Sequence, residues 1–364
     1  MKFIFSGMMI AYLGGNIYVF IRALQMLSSY PLAIKIIFSI LFWIVASALF
    51  IAIGVRDVVM PAVVLKSLFT LGSIWMVFLL YMVLSLLVCD IAHLFVPQFK
   101  YGFWYALAFT ITLLIYGHIN YLNPQIVELD ISLDKPIEGG EVNIVAISDV
   151  HLGEGTGKHK MQRYAEMINA QNPDLILIAG DLIDNSTTPL YREKMNQELS
   201  QLKASMGIYM VPGNHEYISG IDKAAQFLTS TPITLLRDSI VSLPNGIQII
   251  GRDDRSNRHR KPLRNMIDDT DRSHPIIVLD HQPYRLSQSD SLKVDLQISG
   301  HTHRGQVWPI SLLTDKMYEQ SYGYRKWSHS HIYVSCGLSL WGPPFRIGTR
   351  SDMAVIRLRG NNAQ

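Results

Sequence analysis

The chain has 364 residues, 49% of them hydrophobic, a formal net charge of +3 and two cysteines. Six basic and two acidic residues precede residue 121, and the remaining 26 basic and 27 acidic residues nearly cancel. The basic pI therefore belongs to an apolar N-terminal region and gives no reason to expect nucleic acid as a partner; Cys89 and Cys336 support no disulfide framework.

Four apolar segments come first, at about 3–21, 32–55, 67–89 and 101–119. Each has roughly the ~20 residues a helix needs to cross a bilayer core. The first lacks a small-x-small cleavage site and three more follow, so it reads as a retained helix rather than a signal peptide. Pro31, Pro61 and Pro97 fall in the connections, and Tyr18, Trp43, Tyr81 and Trp104 stand where aromatic side chains anchor at an interface. Arg22, Lys35 and Lys100 balance Lys2, Arg56 and Lys66, so the positive-inside bias gives no orientation. Four spans do put the N-terminus and the region after residue 120 on one side.

Residues 121–140 read as a linker with turn signals at Pro124, Pro136 and Gly139-Gly140, and the alternating stretch 126–133 can add an edge strand. The run 143–148 is apolar without alternation, the mark of a strand buried on both faces. It stops at Asp149-Val150-His151-Leu152-Gly153. Residues 158–170 then place Met161, Tyr164, Ala165 and Ile168 on one helical face, and a second buried strand, 175–179, ends at Gly180-Asp181. This is a right-handed βαβ unit with an acid at the tip of each strand. A helix is predicted near 192–204, then a strand 208–211 ending in Gly213-Asn214-His215-Glu216. Further strands are predicted at 247–250, 276–279, 296–299, 332–334 and 353–358. Two of these stop at Asp280-His281 and at Gly300-His301-Thr302-His303. No strand end or glycine turn precedes His329 and His331, so both read as surface residues.

Five strand ends thus offer Asp149, His151, Asp181, Asn214, His281, His301 and His303, and ligands in open α/β sheets gather beyond the carboxyl ends of strands. Carboxylate, carboxamide and imidazole together suit Mn, Fe, Zn or Co rather than an all-oxygen site or a structural zinc. Seven ligands are too many for one ion and natural for two bridged by a carboxylate. Glycine beside Asp181, Asn214 and His301 is expected to make the sharp turns that aim these side chains inward. Neither a Walker loop nor a dinucleotide fingerprint is present.

The ordered set Asp149-x-His151, Gly180-Asp181, Gly213-Asn214-His215-Glu216, His281 and Gly300-His301-x-His303 resembles the calcineurin-like metallophosphoesterase superfamily over about residues 142–358. Ser148–Gly153, Gly300–Gln306 and Gly342-Pro-Pro-Phe-Arg346 resemble its membrane-associated, YkuE-type branch, although Arg304 stands where that branch often has glycine. The resemblance implies an α/β/β/α sandwich of four layers in residues 141–364, behind a four-helix transmembrane domain in residues 1–120. It implies that Asp149, His151 and His303 hold one divalent ion and Asn214, His281 and His301 another, with Asp181 bridging. His215 would protonate the leaving oxygen or steady the phosphoryl group. Asp184 matches no ligand position of the pattern and reads as supporting its neighbours or capping a turn. Arg346 and Arg252 are candidate phosphate contacts, with a structural ion pair the alternative for Arg346 and support of neighbouring residues the alternative for Arg252.

The expected function is a membrane-anchored phosphoesterase acting on a diester or pyrophosphate, with a lipid-linked substrate preferred because the domain is tethered at a bilayer. The alternatives are a phosphomonoesterase acting on protein or small molecules, and a sensor that only binds its ligand. Secreted members of the resembling branch point to a bacterial cytoplasmic membrane with the catalytic domain outside. Trp308, Pro309, Leu312, Leu313, Trp341, Pro343, Pro344 and Phe345 are expected either as a satellite core or as a lip beside the metals that meets the bilayer.

Overall fold

The computed structural model describes residues 2–54, 61–96 and 101–361; Arg56, Pro97 and Lys100 lie outside the described residues. The chain forms two compact units, Met1–Ile119 with Gly342–Phe345, and Asn120–Trp341 with Arg346–Gln364.

The first unit is built on α1 (Lys2–Met26), α2 (Leu32–Gly54), α3 (Ala62–Phe95) and α4 (Gly102–Leu122). All four are long and apolar enough to cross a membrane. α3 runs well beyond the predicted segment at both ends, because residues 62–66 and 90–95 contain no proline or glycine. Val19, Phe42, Ala46, Leu79, Met82 and Phe103 pack together among them. Gly72 lies against the backbone of Leu49, where any side chain would clash. Close approach through small residues is how helices associate where water supplies no driving force. Arg22 and Lys35 lie inside α1 and α2 rather than between them. Asp90 pairs with Arg22 at 2.7 Å and accepts a hydrogen bond from Tyr18 at 2.5 Å, so these two opposite charges meet each other.

The second unit contains two six-stranded sheets. In chain order the strands are β1 (Gln125–Ser132), β2 (Glu141–Ile147), β3 (Leu175–Ile178), β4 (Ile208–Met210), β5 (Ile233–Leu235), β6 (Ser239–Ser242), β7 (Gln248–Gly251), β8 (Ile276–Leu279), β9 (Leu296–Ser299), β10 (Gly323–Lys326), β11 (His331–Val334) and β12 (Asp352–Arg359). One sheet has the order β1-β12-β2-β3-β4-β5, the other β10-β11-β9-β8-β7-β6. β2 to β5 run parallel in the first, and β7, β8, β9 and β11 run parallel in the second. Their carboxyl ends therefore open on one edge of each sheet.

Strand alternation makes the layers. β2 sends Val142, Ile144 and Ala146 into a core shared with Ile249, Ile277, Leu279 and Ile298 of the other sheet. It sends Val145 and Ile147 the other way, onto Met161, Tyr164, Ala165 and Ile168 of α5 (Lys158–Asn169). Ile250, Ile276 and Val278 face outward from the second sheet onto Leu263, Met266 and Ile267. Two sheets back to back with helices outside give the four expected layers.

Residues 121–140 do more than link. β1 pairs with β12 along its whole length, from Gln125 opposite Asp352 to Ser132 opposite Arg359. The predicted helix near 192–204 is two short ones, α6 (Thr188–Glu193) and α7 (Asn196–Leu199), parted where Lys194 turns left-handed at φ 54°. Short helices α8 (Asn214–Ile218), α9 (Ile221–Leu228), α10 (Leu263–Asp268), α11 (Leu286–Ser291) and α12 (Ile310–Met317) complete the unit. His331 is not a surface residue. It lies in β11 between β10 and β9, and its ring meets the Tyr324 hydroxyl and Lys326 Nζ, each at 2.7 Å. Burial, helped by Lys326, pushes its pKa down to about 4.

Candidate metal centre

The seven side chains singled out at the strand ends converge. His151 Nε2 lies 3.2 Å from His303 Nε2, and His303 Nε2 lies 3.4 Å from Asp149 Oδ1. On the other side His281 Nε2 lies 3.2 Å from Asp181 Oδ2 and 3.3 Å from Asn214 Oδ1. Ligand atoms of Asp149, His151 and His303 all fall within 4.8 Å of one another, and so do those of Asp181, His281 and His301. Asp181 sits between the groups, its Oδ2 also 3.9 Å from His151 Nε2.

Holding these atoms together requires an unusual backbone. Asp149, His151, Asp181, His301 and His303 all have left-handed φ, between 46° and 71°. Each such residue costs on the order of 1 kcal/mol, and such strain clusters where side-chain placement matters more than stability. Only one of the three glycines works as expected. Gly180 has φ 86°, whereas Gly213 is extended at φ −103° and Gly300 is not left-handed. Those two are needed for space, because a Cβ on Gly213 would fall on the Asp181 carboxylate and one on Gly300 on that of Asp149.

The electrostatics favour cations. Burial works against charge on Asp149, but His303 and His281 outweigh it and keep this carboxyl below the usual range. Asp181 is likewise lowered, burial being outweighed by His281. Burial pushes His301 down to about 4 and His303 down to about 3, leaving lone pairs on both rings at neutral pH. His281 Nδ1 must be a donor, because its partner at 2.7 Å is the Ala179 carbonyl; a fixed tautomer of this kind directs Nε2 at the centre. Two buried carboxylates among converging acceptor atoms are a donor set that fits divalent ions.

His215 stands beside this set with its ring centroid 4.6 Å from that of His151. Its Nδ1 lies 3.0 Å from Asp184 Oδ1, which is also 3.6 Å from His151 Nδ1. Burial alone would lower the His215 pKa, but Asp184 and Asp181 raise it above the ordinary value, which favours the protonated ring. The half-exposed indole of Trp341 is the next neighbour, 6.2 Å away between centroids.

Neither arginine is where a phosphate contact was expected. Arg346 is fully buried, and its guanidinium donates to the carbonyls of His303, Cys336 and Ser339 at 2.9, 2.6 and 2.7 Å. Its planar fork staples the His303 loop to the chain after β11. Arg252 is 8% exposed and pairs with Asp280 at 2.8 Å, which also binds Arg260 at 2.7 Å. Sequence reasoning also passed over Glu216. Its buried carboxylate accepts from the backbone N–H groups of Asp181, Ile183 and Gly213 at 3.0, 2.8 and 2.7 Å, tying two ligand loops together. Burial, then Asp181, push it up to about 8 despite those donors. Its bond to the Gly213 N–H is the N3-to-N-cap half of a helix cap, which glycine, lacking a side chain, cannot return, so no capping motif marks it in the sequence.

Residues 142–305 match the family of calcineurin-like phosphoesterases. A metallophosphoesterase of Helicobacter pylori is 36% identical over 247 residues, covering 66% of this chain and 65% of its own. A Danio rerio protein described as a transmembrane protein with a metallophosphoesterase domain is 32% identical over 272 residues, 70% of this chain and 62% of its own. The metallophosphoesterase YkuE of Bacillus subtilis is 28% identical over 268 residues, 68% of this chain and 91% of its own. The chain thus spans a little under two thirds of the first two relatives.

Proposed function

We propose, since the chain belongs to the calcineurin-like metallophosphoesterase family, that it is a membrane phosphoesterase hydrolysing a diester or pyrophosphate bond, with a lipid-linked substrate. The position of Asp181, within reach of both His151 and His281, is the observation that carries the dinuclear reading. Asp149, His151 and His303 would hold one divalent ion and Asn214, His281 and His301 a second, with the Asp181 carboxylate shared between the two groups; Mn, Fe, Zn and Co all suit these donors. When bound, such a pair supplies an activated water and neutralises charge on the phosphoryl oxygens.

The chain's own residues do the rest. Asp184 anchors His215 Nδ1, so the ring's other nitrogen is free to give its proton to the leaving oxygen. Arg346 and Glu216 fix the loops and touch no substrate. Both candidate arginines are occupied, which leaves His215 as the chain's own group to meet charge on the phosphate.

The test is hydrolysis by full-length protein, loaded with each metal in turn, of bis(p-nitrophenyl) phosphate and p-nitrophenyl phosphate. The expected result is a higher kcat/KM for the diester. Preference for the monoester would turn the reading to a phosphomonoesterase, and metal binding without hydrolysis would turn it to a sensor. On this reading the catalytic unit lies outside a bacterial cytoplasmic membrane, so protease added to intact spheroplasts should digest it. Protection until lysis would put it in the cytoplasm.

A further inference from the structure

We propose that the outer face of α12, with Trp308 in the turn before it, is a bilayer-contact surface that seats the His301–His303 loop at lipid head groups. The inference rests on the phosphoesterase reading only for its consequence, that the reacting phosphoester belongs to a lipid.

The helix is amphipathic the wrong way round for a soluble protein. Ser311 and Thr314 are buried, 5% and 8% exposed, while Leu312, Leu313 and Met317 are 54%, 61% and 60% exposed and Trp308 is 49% exposed. A helix on a soluble domain turns its apolar stripe to the core. Here the polar side is the anchored one: Thr314 and the backbone of Ser311 abut Gly305, so the helix is fixed to the loop that carries His301 and His303. An exposed apolar patch beside a polar site marks a contact surface, and tryptophan suits the bilayer interface.

The occupant follows from where the chain enters this unit. The strip 346–351 borders the apolar face, since Trp308 N–H donates to the Ile347 carbonyl at 2.8 Å and the Thr349 hydroxyl to the Gln306 carbonyl at 2.6 Å. The same strip receives the residues that arrive from α4. Asn120 Nδ2 donates to the Arg346 carbonyl at 3.3 Å and Gln125 N–H to the Ser351 carbonyl at 2.9 Å. Only Asn123 and Pro124 separate α4 from β1, a reach of about 11 Å from Leu122 to Gln125 at full extension. The end of the unit that bears the apolar face is therefore tethered to a span. Lys316 and Arg350 are exposed beside it, as suits anionic head groups.

The experiment uses the full chain in nanodiscs of phosphatidylcholine and phosphatidylglycerol, with Cys89 and Cys336 replaced by alanine and a fluorophore on Leu313→Cys or, as control, on exposed Gln226→Cys. The Leu313 probe should be quenched by spin-labelled lipid and shielded from aqueous iodide, and the Gln226 probe should behave oppositely. Equal iodide quenching at the two positions overturns the proposal. Shielding without lipid quenching overturns it too, because a second copy or another protein then covers the face. In parallel, Leu312→Ser/Leu313→Ser should lose roughly tenfold or more in rate on a vesicle-borne diester, from the lost burial of two leucines, and keep its rate on bis(p-nitrophenyl) phosphate. Equal losses on both substrates would also overturn it. Wild-type protein inert on the soluble diester would strike at the phosphoesterase reading instead, while the quenching still decides the surface.

Discussion

Asp181→Asn should bind metal at least about 100-fold more weakly and lose turnover, while its melting temperature stays near that of the wild type. The magnitude is a lower bound, because even residues that merely support metal ligands are worth roughly 10–100-fold. Asparagine has the shape of aspartate and retains a carbonyl oxygen for the His215 backbone N–H, which Asp181 Oδ1 now accepts at 2.8 Å. What disappears is the negative charge that faces His281 at 3.2 Å and His151 at 3.9 Å. Metal content by mass spectrometry, read beside a thermal melt, separates the outcomes. A folded variant with full metal and full rate would remove Asp181 from the centre.

His215→Ala should differ in kind. It keeps both ions and loses roughly 10²–10⁴-fold in kcat, the range for a positioned general acid. Truncation leaves the backbone N–H to Asp181 in place and removes only the ring that Asp184 holds at 3.0 Å. The loss should shrink on substrates whose leaving group is already acidic, such as p-nitrophenol, because these need no proton. A purely structural role would lower all rates alike, and metal depletion in this variant would mean that His215 belongs with the ligands.

Much of this site was legible because strand, acid and histidine recur in a fixed order. A strand buried on both faces is a largely apolar run, and the polar residues that follow it stand just past the strand's end. That logic located Asp149, Asp181, Asn214, His281 and His301 without any knowledge of pairing. It could not tell what an arginine touches. Arg346 reads from sequence equally as a phosphate contact or a structural residue, and what decides between them, three carbonyls that take its donors, is brought together only by the fold. His331 failed for a related reason, because the polar pocket that accepts its ring is made by Tyr324 and Lys326 across a strand pair.

Short elements were also lost. β5, β6 and β10 have three or four residues and partly exposed patterns, too little for a period of two to show. α12 was missed although its composition had been noticed: Trp308, Leu312 and Leu313 were grouped as a core or a lip, and burial divides them from Phe345, which is 6% exposed. Among the described residues the long apolar helices needed no tertiary information, since length and composition suffice to define a possible span.

A dinuclear centre bridged by Asp181 should show itself in a stoichiometric metal titration of the chelator-stripped full-length protein. Bound metal by mass spectrometry and hydrolysis of bis(p-nitrophenyl) phosphate are followed together as Mn or Zn is added. The expected result is uptake of two ions per chain, with activity appearing as the second site fills. Full activity in the stripped protein, or at a single bound ion per chain, would contradict it.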